Sequence, residues 1–194
     1  MAVSNSASLL DRELGAVIDS FDHVVRFNAA PLDREYAPHV GTKTTIWACS
    51  DWPPDLYARN RSRFVDCRRL FVVPDLPGKE HVRSPPDAEE IPRSFERQLR
   101  EQIQPRVGAW CTTGLITLAW LLREFEVIHT VGWYGPDAVG NEQVFLQHYD
   151  SQLSTRLECH HAVRAEARLF NQWAAAGRIA ALEGMPESAR RGVR

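Results

Sequence analysis

Histidine side chains toward the carboxyl-terminal end of the chain are the residues best suited to proton transfer. His148 lies in the sequence Gln-His-Tyr-Asp, and His161 lies further along, shortly before Glu166. An imidazole titrates near neutral pH, so it can take a proton from a hydroxyl or hydrogen-bond a departing phosphate. The two histidines have no third ligand at metal-binding spacing, which favours acid–base chemistry over a metal site. A structural or solvent-exposed role is the alternative for each.

Two loops with hydroxyl side chains and small residues are suited to bind a phosphate or a ribose. The first covers residues 4–8 and includes Asn5 and Ser6, and the second begins with Thr112 and Thr113 and opens an apolar segment. Hydroxyls and backbone N–H groups at the start of a helix bind phosphate oxygens. An ordinary serine or threonine N-cap explains the same residues, so both interpretations stay open.

The apolar pattern places these residues between strands and helices. Short β-branched and aromatic runs predict buried strands at 23–27, 45–48, 70–73 and 127–131. Helical periodicity predicts helices at 9–14, 93–103, 113–124 and 162–176. The prolines and alternating charges of residues 70–91 predict a long loop. Alternating strands and helices predict an α/β fold, a single Rossmann-like domain with a mainly parallel sheet flanked by helices, which binds its ligand at the carboxyl ends of its strands.

Composition and charge exclude several other classes of protein. The 194 residues are 44% hydrophobic and 25% charged, with a formal net charge of −2, which suits one soluble domain and argues against a nucleic-acid partner. No apolar segment approaches the roughly 20 residues of a transmembrane helix, and the N-terminal sequence lacks the order of a signal peptide. The four cysteines include no Cys-x-x-Cys pair. We therefore expect a cytoplasmic protein with one domain over 1–185 and a flexible tail over 186–194.

Four blocks of the sequence, in their order along the chain, resemble the motifs of one enzyme family. Residues 18–31 and 40–45, IDSFDHVVRFNAAP and VGTKTT, with AVSNS before them, are similar to the large sialylmotif of the glycosyltransferase family 29 sialyltransferases. Residues 111–135 are similar to the small sialylmotif, and His148-Tyr149-Asp150 is similar to the third motif. His161 and Glu166 have the H-x-x-x-x-E spacing of the very small motif. The chain therefore resembles a short, bacterial-type member of this family.

The resemblance implies a glycosyltransferase A-like variant of the Rossmann fold and a function. It implies an inverting, metal-independent transferase that moves sialic acid from CMP-sialic acid to a glycan hydroxyl and needs no cofactor besides this donor substrate. His161 would remove the proton from the acceptor hydroxyl, His148 would hydrogen-bond the phosphate of CMP, and Glu166 would support the local structure. The residues implied to bind the donor are Asn5, Ser6, Asn28, Thr112, Thr113, Gly114, Trp133 and Tyr134.

The sequence also departs from the family pattern, and these departures keep two alternatives open. Ala7 replaces a usual glycine, Cys111-Thr112 replaces a usual Pro-Ser, and the third motif is one aromatic residue short. The alternatives are a transferase that uses CMP-Kdo and a CMP-binding homologue without catalytic activity. Residues 51–105 match no block, and we expect them to build the side of the site that binds a glycan or glycolipid acceptor. A homodimer is compatible with the sequence but not indicated by it.

Overall fold

The computed structural model describes residues 1–30, 32–50, 55–75, 77–103, 111–133 and 163–182. Its strands are β1 (Ala2–Val3), β2 (Val25–Phe27), β3 (Ile46–Ser50), β4 (Arg68–Val72), β5 (Glu89–Ile91), β6 (Ile128–Val131) and β7 (Ile179–Ala181). Its helices are a 3₁₀ helix (Ala7–Asp11), α1 (Gly15–Asp19), α2 (Ala37–Val40), α3 (Leu56–Asn60), a 3₁₀ turn (Arg61–Arg63), α4 (Arg93–Ile103), α5 (Thr113–Leu121) and α6 (Val163–Ala175).

All seven strands pair in parallel in one sheet, in the order β5-β4-β3-β2-β1-β6-β7. The chain runs outward from β1 to β5 and then returns to place β6 on the other side of β1. The strand order therefore reverses between β1 and β6. Such a reversal of strand order opens a crevice that parallel α/β proteins use to bind ligands.

Helices cover both faces of the sheet because side chains along each strand alternate between the faces. In β3, Ile46 and Ala48 pack against the layer formed by α4, α5 and α6. Trp47 points to the opposite face, where its ring stacks against Tyr57 at 4.9 Å and Phe64 at 4.7 Å between ring centroids. Burial on both faces explains why the inner strands have continuous apolar sequences instead of alternating ones.

The α/β fold predicted from the sequence is confirmed, with some differences in its elements. The helix predicted at 9–14 is wrong: a 3₁₀ helix begins at Ala7, because Ser6 caps it, and α1 begins separately at Gly15. The loop predicted at 70–91 is wrong at its end, where β5 pairs with β4. Since β5 is an edge strand with two exposed glutamates before Ile91, it has little apolar signal in the sequence.

Two further predictions concern membrane spans and the C-terminal tail. None of the helices in the described part of the chain is both long and apolar enough to cross a membrane. The tail predicted at 186–194 lies outside the described residues.

Candidate functional site

Four loops and one helix start meet at the carboxyl edge of the sheet. Nδ2 of Asn5, just after β1, donates a hydrogen bond to the carbonyl oxygen of Phe27 at the end of β2, at 3.2 Å. Oγ1 of Thr113, at the start of α5, donates to Oγ of Ser50 at the end of β3, at 3.0 Å. These bonds tie the two loops that the sequence singled out for phosphate or ribose binding to the ends of two neighbouring strands, β2 and β3.

Asn28 is held in an unusual backbone conformation directly after β2. Its φ of 52° lies in the left-handed region, which asparagine tolerates better than most residues. Its Oδ1 accepts a hydrogen bond from the backbone N–H of Ser50 at 3.3 Å, and its carbonyl oxygen accepts one from Nε1 of Trp47 at 2.7 Å. These contacts use the oxygen of the side-chain amide, and no described residue hydrogen-bonds its Nδ2. Asn28 therefore presents an amide donor from a fixed backbone.

Asn5 has a polar atom that the fold leaves unsatisfied. Its Oδ1 is buried and has no hydrogen-bond partner among the described residues. An acceptor buried without a partner costs about 1–3 kcal/mol relative to a satisfied one. Such an unsatisfied buried group calls for an explanation, of which a bound water or ion is one.

The serines of the first loop mainly stabilise the loop itself. Oγ of Ser6 accepts a hydrogen bond from the backbone N–H of Ser8 at 3.3 Å and caps the 3₁₀ helix. Oγ of Ser4 donates to the carbonyl oxygen of Gly132, after β6, and accepts from the N–H of Ser6 at 3.1 Å. The capping interpretation therefore applies to Ser6, and the loop after β1 is fastened to the loop after β6.

Glu166 fixes the start of α5 from the neighbouring helix α6. Its side chain is fully buried, and its two carboxylate oxygens accept from the backbone N–H of Thr112 at 2.7 Å and from Oγ1 of Thr112 at 2.8 Å. Oγ1 of Thr112 in turn accepts from the N–H of Leu115 at 3.1 Å, so Thr112 is the N-cap of α5. Thr112 thus uses its hydroxyl in both directions within the protein.

Gly114 and Trp133 fit closely together beneath the start of α5. A Cβ atom on Gly114 would lie 2.6 Å from Cη2 of Trp133, so this position accepts only glycine unless the indole moves. The indole of Trp133 stacks on Phe170 at 5.9 Å between centroids, and its Nε1 donates to the carbonyl oxygen of Ala2 at 3.0 Å. Trp133 therefore supports α5 and β1 from within the protein.

Three of the residues proposed from the sequence lie outside the described residues. They are His148, His161 and Tyr134. Their roles remain predictions from the sequence.

A second buried carboxyl, which the sequence analysis missed, lies near Glu166. Glu96 on α4 is only 2% exposed, and burial, together with the negative charges of Asp75 and Glu166, raises its pKa above the usual range, against the opposing effects of the Asp75 N–H and Arg100. Burial, together with the negative charges of Glu166 and Glu96, raises the pKa of the Cys111 thiol well above its usual range. Cys111 is therefore a protonated, unreactive thiol at neutral pH.

Comparison with known proteins gives this geometry a family context. Residues 1–52 match the model of glycosyltransferase family 29 (sialyltransferase). The chain resembles this family. That match contains the large-motif block, while the other three blocks lie beyond it.

Curated relatives extend the resemblance. The chain is 52% identical over 210 residues to Beta-galactoside alpha-2,6-sialyltransferase 2 of Xenopus tropicalis, which covers 88% of this chain and 38% of the relative. It is 52% identical over 44 residues to Beta-galactoside alpha-2,6-sialyltransferase 1 of Mus musculus, which covers 23% of this chain and 11% of the relative. The chain thus spans less than half the length of these relatives. Both relatives come from vertebrates, so the expectation of a bacterial-type family member has no support.

Solved structures support the fold. A mammalian sialyltransferase in complex with Gal-beta-1-3GalNAc-ortho-nitrophenol matches with a TM-score of 0.63 and 19% identity, over 95% of this chain and 68% of that chain. A second structure of a mammalian sialyltransferase matches with a TM-score of 0.64, also at 19% identity. At this identity the likeness concerns the fold, and it agrees with the α/β Rossmann-like architecture.

The hydrogen bonds from Thr112 to Glu166 make a testable contribution to stability. We expect Glu166→Ala to lower the free energy of unfolding by about 3 kcal/mol, because it leaves the partly buried N–H and hydroxyl of Thr112 without their acceptor. Urea unfolding measures this loss. The matched control is Glu101→Ala, which replaces an exposed glutamate on α4. This substitution should change stability by no more than about 0.5 kcal/mol. Equal effects of the two substitutions would contradict the assignment.

The buried carboxyl of Glu96 makes stability depend on pH in a defined direction. Because its pKa in the folded protein is raised, the folded state binds this proton more tightly than the unfolded chain, in which the pKa is about 4.3. The stabilisation is complete at low pH and is lost as the pH rises through the pKa of the folded state. The groups that face Glu96 are Asp75, Arg100, Cys111 and Glu166. The substitution Glu96→Gln keeps all four, so the comparison isolates the titration of Glu96.

We therefore expect the wild type to lose stability relative to Glu96→Gln as the pH rises from about 4 to about 8. Urea unfolding at several pH values measures the difference between the two proteins. Parallel curves would mean that Glu96 has an ordinary pKa.

Proposed function

We propose that this chain forms the nucleotide-binding core of an inverting glycosyltransferase that transfers sialic acid from CMP-sialic acid to a glycan hydroxyl. The observation that carries this proposal is the convergence of Asn5, Asn28 and the start of α5 at the carboxyl ends of β1, β2 and β3. It is supported by the match of residues 1–52 to glycosyltransferase family 29 and by the sialyltransferase relatives.

The start of α5 is suited to the phosphate of the donor. Thr112 and Leu115 use their backbone N–H groups within the protein. The N–H groups of Thr113 and Gly114, in the first turn of α5, make no hydrogen bond to any described residue. The helix dipole adds positive potential at this end of the helix. We assign these two N–H groups to the phosphate.

The two asparagines are suited to the ribose and phosphate side of CMP. The unsatisfied Oδ1 of Asn5 is an acceptor for a sugar hydroxyl. Nδ2 of Asn28 is a donor for a phosphate or hydroxyl oxygen. One amide supplies the acceptor and the other supplies the donor, which suits a ligand that carries both hydroxyls and phosphate oxygens.

His161 and His148 complete the proposed reaction. His161 accepts the proton of the acceptor hydroxyl while that oxygen forms a bond to the anomeric carbon of the sugar. The bond from this carbon to the phosphate oxygen breaks at the same time, and CMP leaves with the bonding electrons. His148 hydrogen-bonds the phosphate as negative charge develops on it. One displacement at the anomeric carbon inverts its configuration.

The leaving phosphate can be stabilised without a divalent cation in this scheme. Helix N–H groups and an imidazole stabilise negative charge where it develops in the transition state. Metal independence is therefore part of the proposal. Within the described residues, no group of three histidine, cysteine, aspartate or glutamate side chains is placed to hold a metal ion.

The identity of the acceptor rests on the relatives alone. Both curated relatives are named as beta-galactoside alpha-2,6-sialyltransferases, so a β-galactoside is the acceptor to test first. Location in the cytoplasm and the formation of a homodimer remain predictions from the sequence.

Release of CMP from the donor tests the proposed function. We expect the wild type to release CMP from CMP-sialic acid when lactose, a β-galactoside, is present, and to keep this activity in excess chelator. His161→Ala should lose at least about 100-fold in rate, because it lacks the general base, and should still bind CMP. His160→Ala is the matched control, since it removes the adjacent imidazole that lies outside the H-x-x-x-x-E spacing.

The same assay distinguishes the alternatives. Turnover of CMP-Kdo without turnover of CMP-sialic acid would identify the other donor. CMP binding without turnover of either donor would favour the non-catalytic homologue, and full activity of His161→Ala would refute its role as the base.

A further inference from the structure

Glu96 occupies a position that an ordinary surface helix would give to an apolar side chain. It shares the buried face of α4 with Leu99, and both residues are almost fully buried. Burying a carboxyl group is costly unless its hydrogen bonds are made inside the protein. No block of the sequence that resembles a family motif contains Glu96, so its burial needs a separate explanation.

One side of Glu96 holds the segment that follows β4. Its Oε2 accepts a hydrogen bond from the backbone N–H of Asp75 at 2.6 Å. The side chain of Asp75 is in turn held by Arg97, at 2.8 Å and 3.0 Å, and by Arg100, at 2.6 Å. Nη1 of Arg100 also donates to the carbonyl oxygen of Asp75 at 3.2 Å. The backbone after β4 is therefore fastened to α4 at several points, and Glu96 provides the buried one.

The other side of Glu96 faces the elements that build the proposed donor site. Its carboxyl group interacts electrostatically with Glu166, which fixes the start of α5 through Thr112. It also interacts with Cys111, the residue that precedes this cap. Glu96 thus lies where α4, α5, α6 and the segment after β4 meet.

The location of Glu96, where these elements meet, indicates its role. In the proposed function, CMP lies against the carboxyl ends of β1 and β2 and the start of α5. The acceptor must then approach from another part of the same carboxyl edge, and the segment after β4 is next to the end of β3 along it. The backbone at Asp75 lies on that side.

We propose that Glu96 is a positioning residue that holds the segment after β4 in place as the acceptor side of the site. It acts through the N–H of Asp75 and does not touch either substrate. This inference rests on the proposed function, because it assumes a donor at the carboxyl ends of β1 and β2 and an acceptor beside it. Glu96 therefore supports acceptor binding, whereas Glu166 and Thr112 support donor binding.

Kinetics of three variants test the inference. We expect Glu96→Ala to raise the KM for lactose about ten-fold, the effect of losing a hydrogen bond of about 1.4 kcal/mol, while the Kd for CMP stays within about two-fold. Glu96→Gln should behave like the wild type, because its amide oxygen still accepts from Asp75. Glu101→Ala is the control for an exposed glutamate on the same helix. If Glu96→Ala does not fold, Glu96→Asp, whose carboxyl group is one methylene shorter, takes its place.

Hydrogen exchange at the amide of Asp75 reports the same contact without any activity. It should be faster in Glu96→Ala than in the wild type, and unchanged in Glu96→Gln. Unchanged exchange in Glu96→Ala would overturn the inference, as would an unchanged KM for lactose in an active enzyme. An equal rise in the KM for lactose and the Kd for CMP would also overturn it, since Glu96 would then support the whole site. A wild type that turns over no donor would instead overturn the proposed function.

Discussion

The bidentate contact between the carboxylate of Glu166 and Thr112 fixes where α5 begins, and the geometry of the candidate site depends on that point. One carboxylate oxygen accepts a hydrogen bond from the backbone N–H of Thr112, and the other accepts one from its hydroxyl. The same hydroxyl accepts a hydrogen bond from the N–H of Leu115 and so caps the helix. The N–H groups of the next two residues are consequently left at the edge of the sheet. A shift of one residue in the start of α5 would move both of these donors.

Other contacts tie this helix start to the strands, so that the parts of the site form one unit. Thr113 is bonded to Ser50 after β3, and the N–H of Ser50 is bonded to the side chain of Asn28 after β2. Gly114 leaves room for Trp133, whose indole N–H is bonded to β1. Because these groups are already held in place, a ligand that binds one of them does not have to order the others. Oδ1 of Asn5 differs from these groups, because it has no hydrogen-bond partner among the described residues.

Much of this arrangement follows from local patterns in the sequence. The inner strands could be predicted because a strand that is buried on both faces has a continuous apolar sequence, as in Ile46–Ser50. The capping roles of Ser6 and Thr112 follow from their residue type at the start of a helical segment. The edge strand β5 could not be found in this way, since Glu89 and Glu90 are exposed and only Ile91 is buried.

Glu96 shows where local patterns stop being sufficient. Its spacing from Leu99 and Ile103 places it on the apolar face of α4, which is the signal that could have indicated its burial. Its partners, however, are Asp75 and Glu166, which come from distant parts of the chain. Likewise, the contact from Glu166 to the backbone of Thr112 depends on how α5 and α6 pack, and no spacing in the sequence specifies that packing.

Calorimetric titration of CMP into the wild type and Asn28→Gly tests the central claim most directly. Glycine accepts the positive φ of this position, so the variant removes the side-chain amide without straining the backbone. The account predicts that the wild type binds CMP and that Asn28→Gly binds it about ten-fold more weakly, the effect of one hydrogen bond to a charged group. Equal affinities, or a wild type that does not bind CMP at all, would contradict the assignment of this edge of the sheet as a nucleotide site.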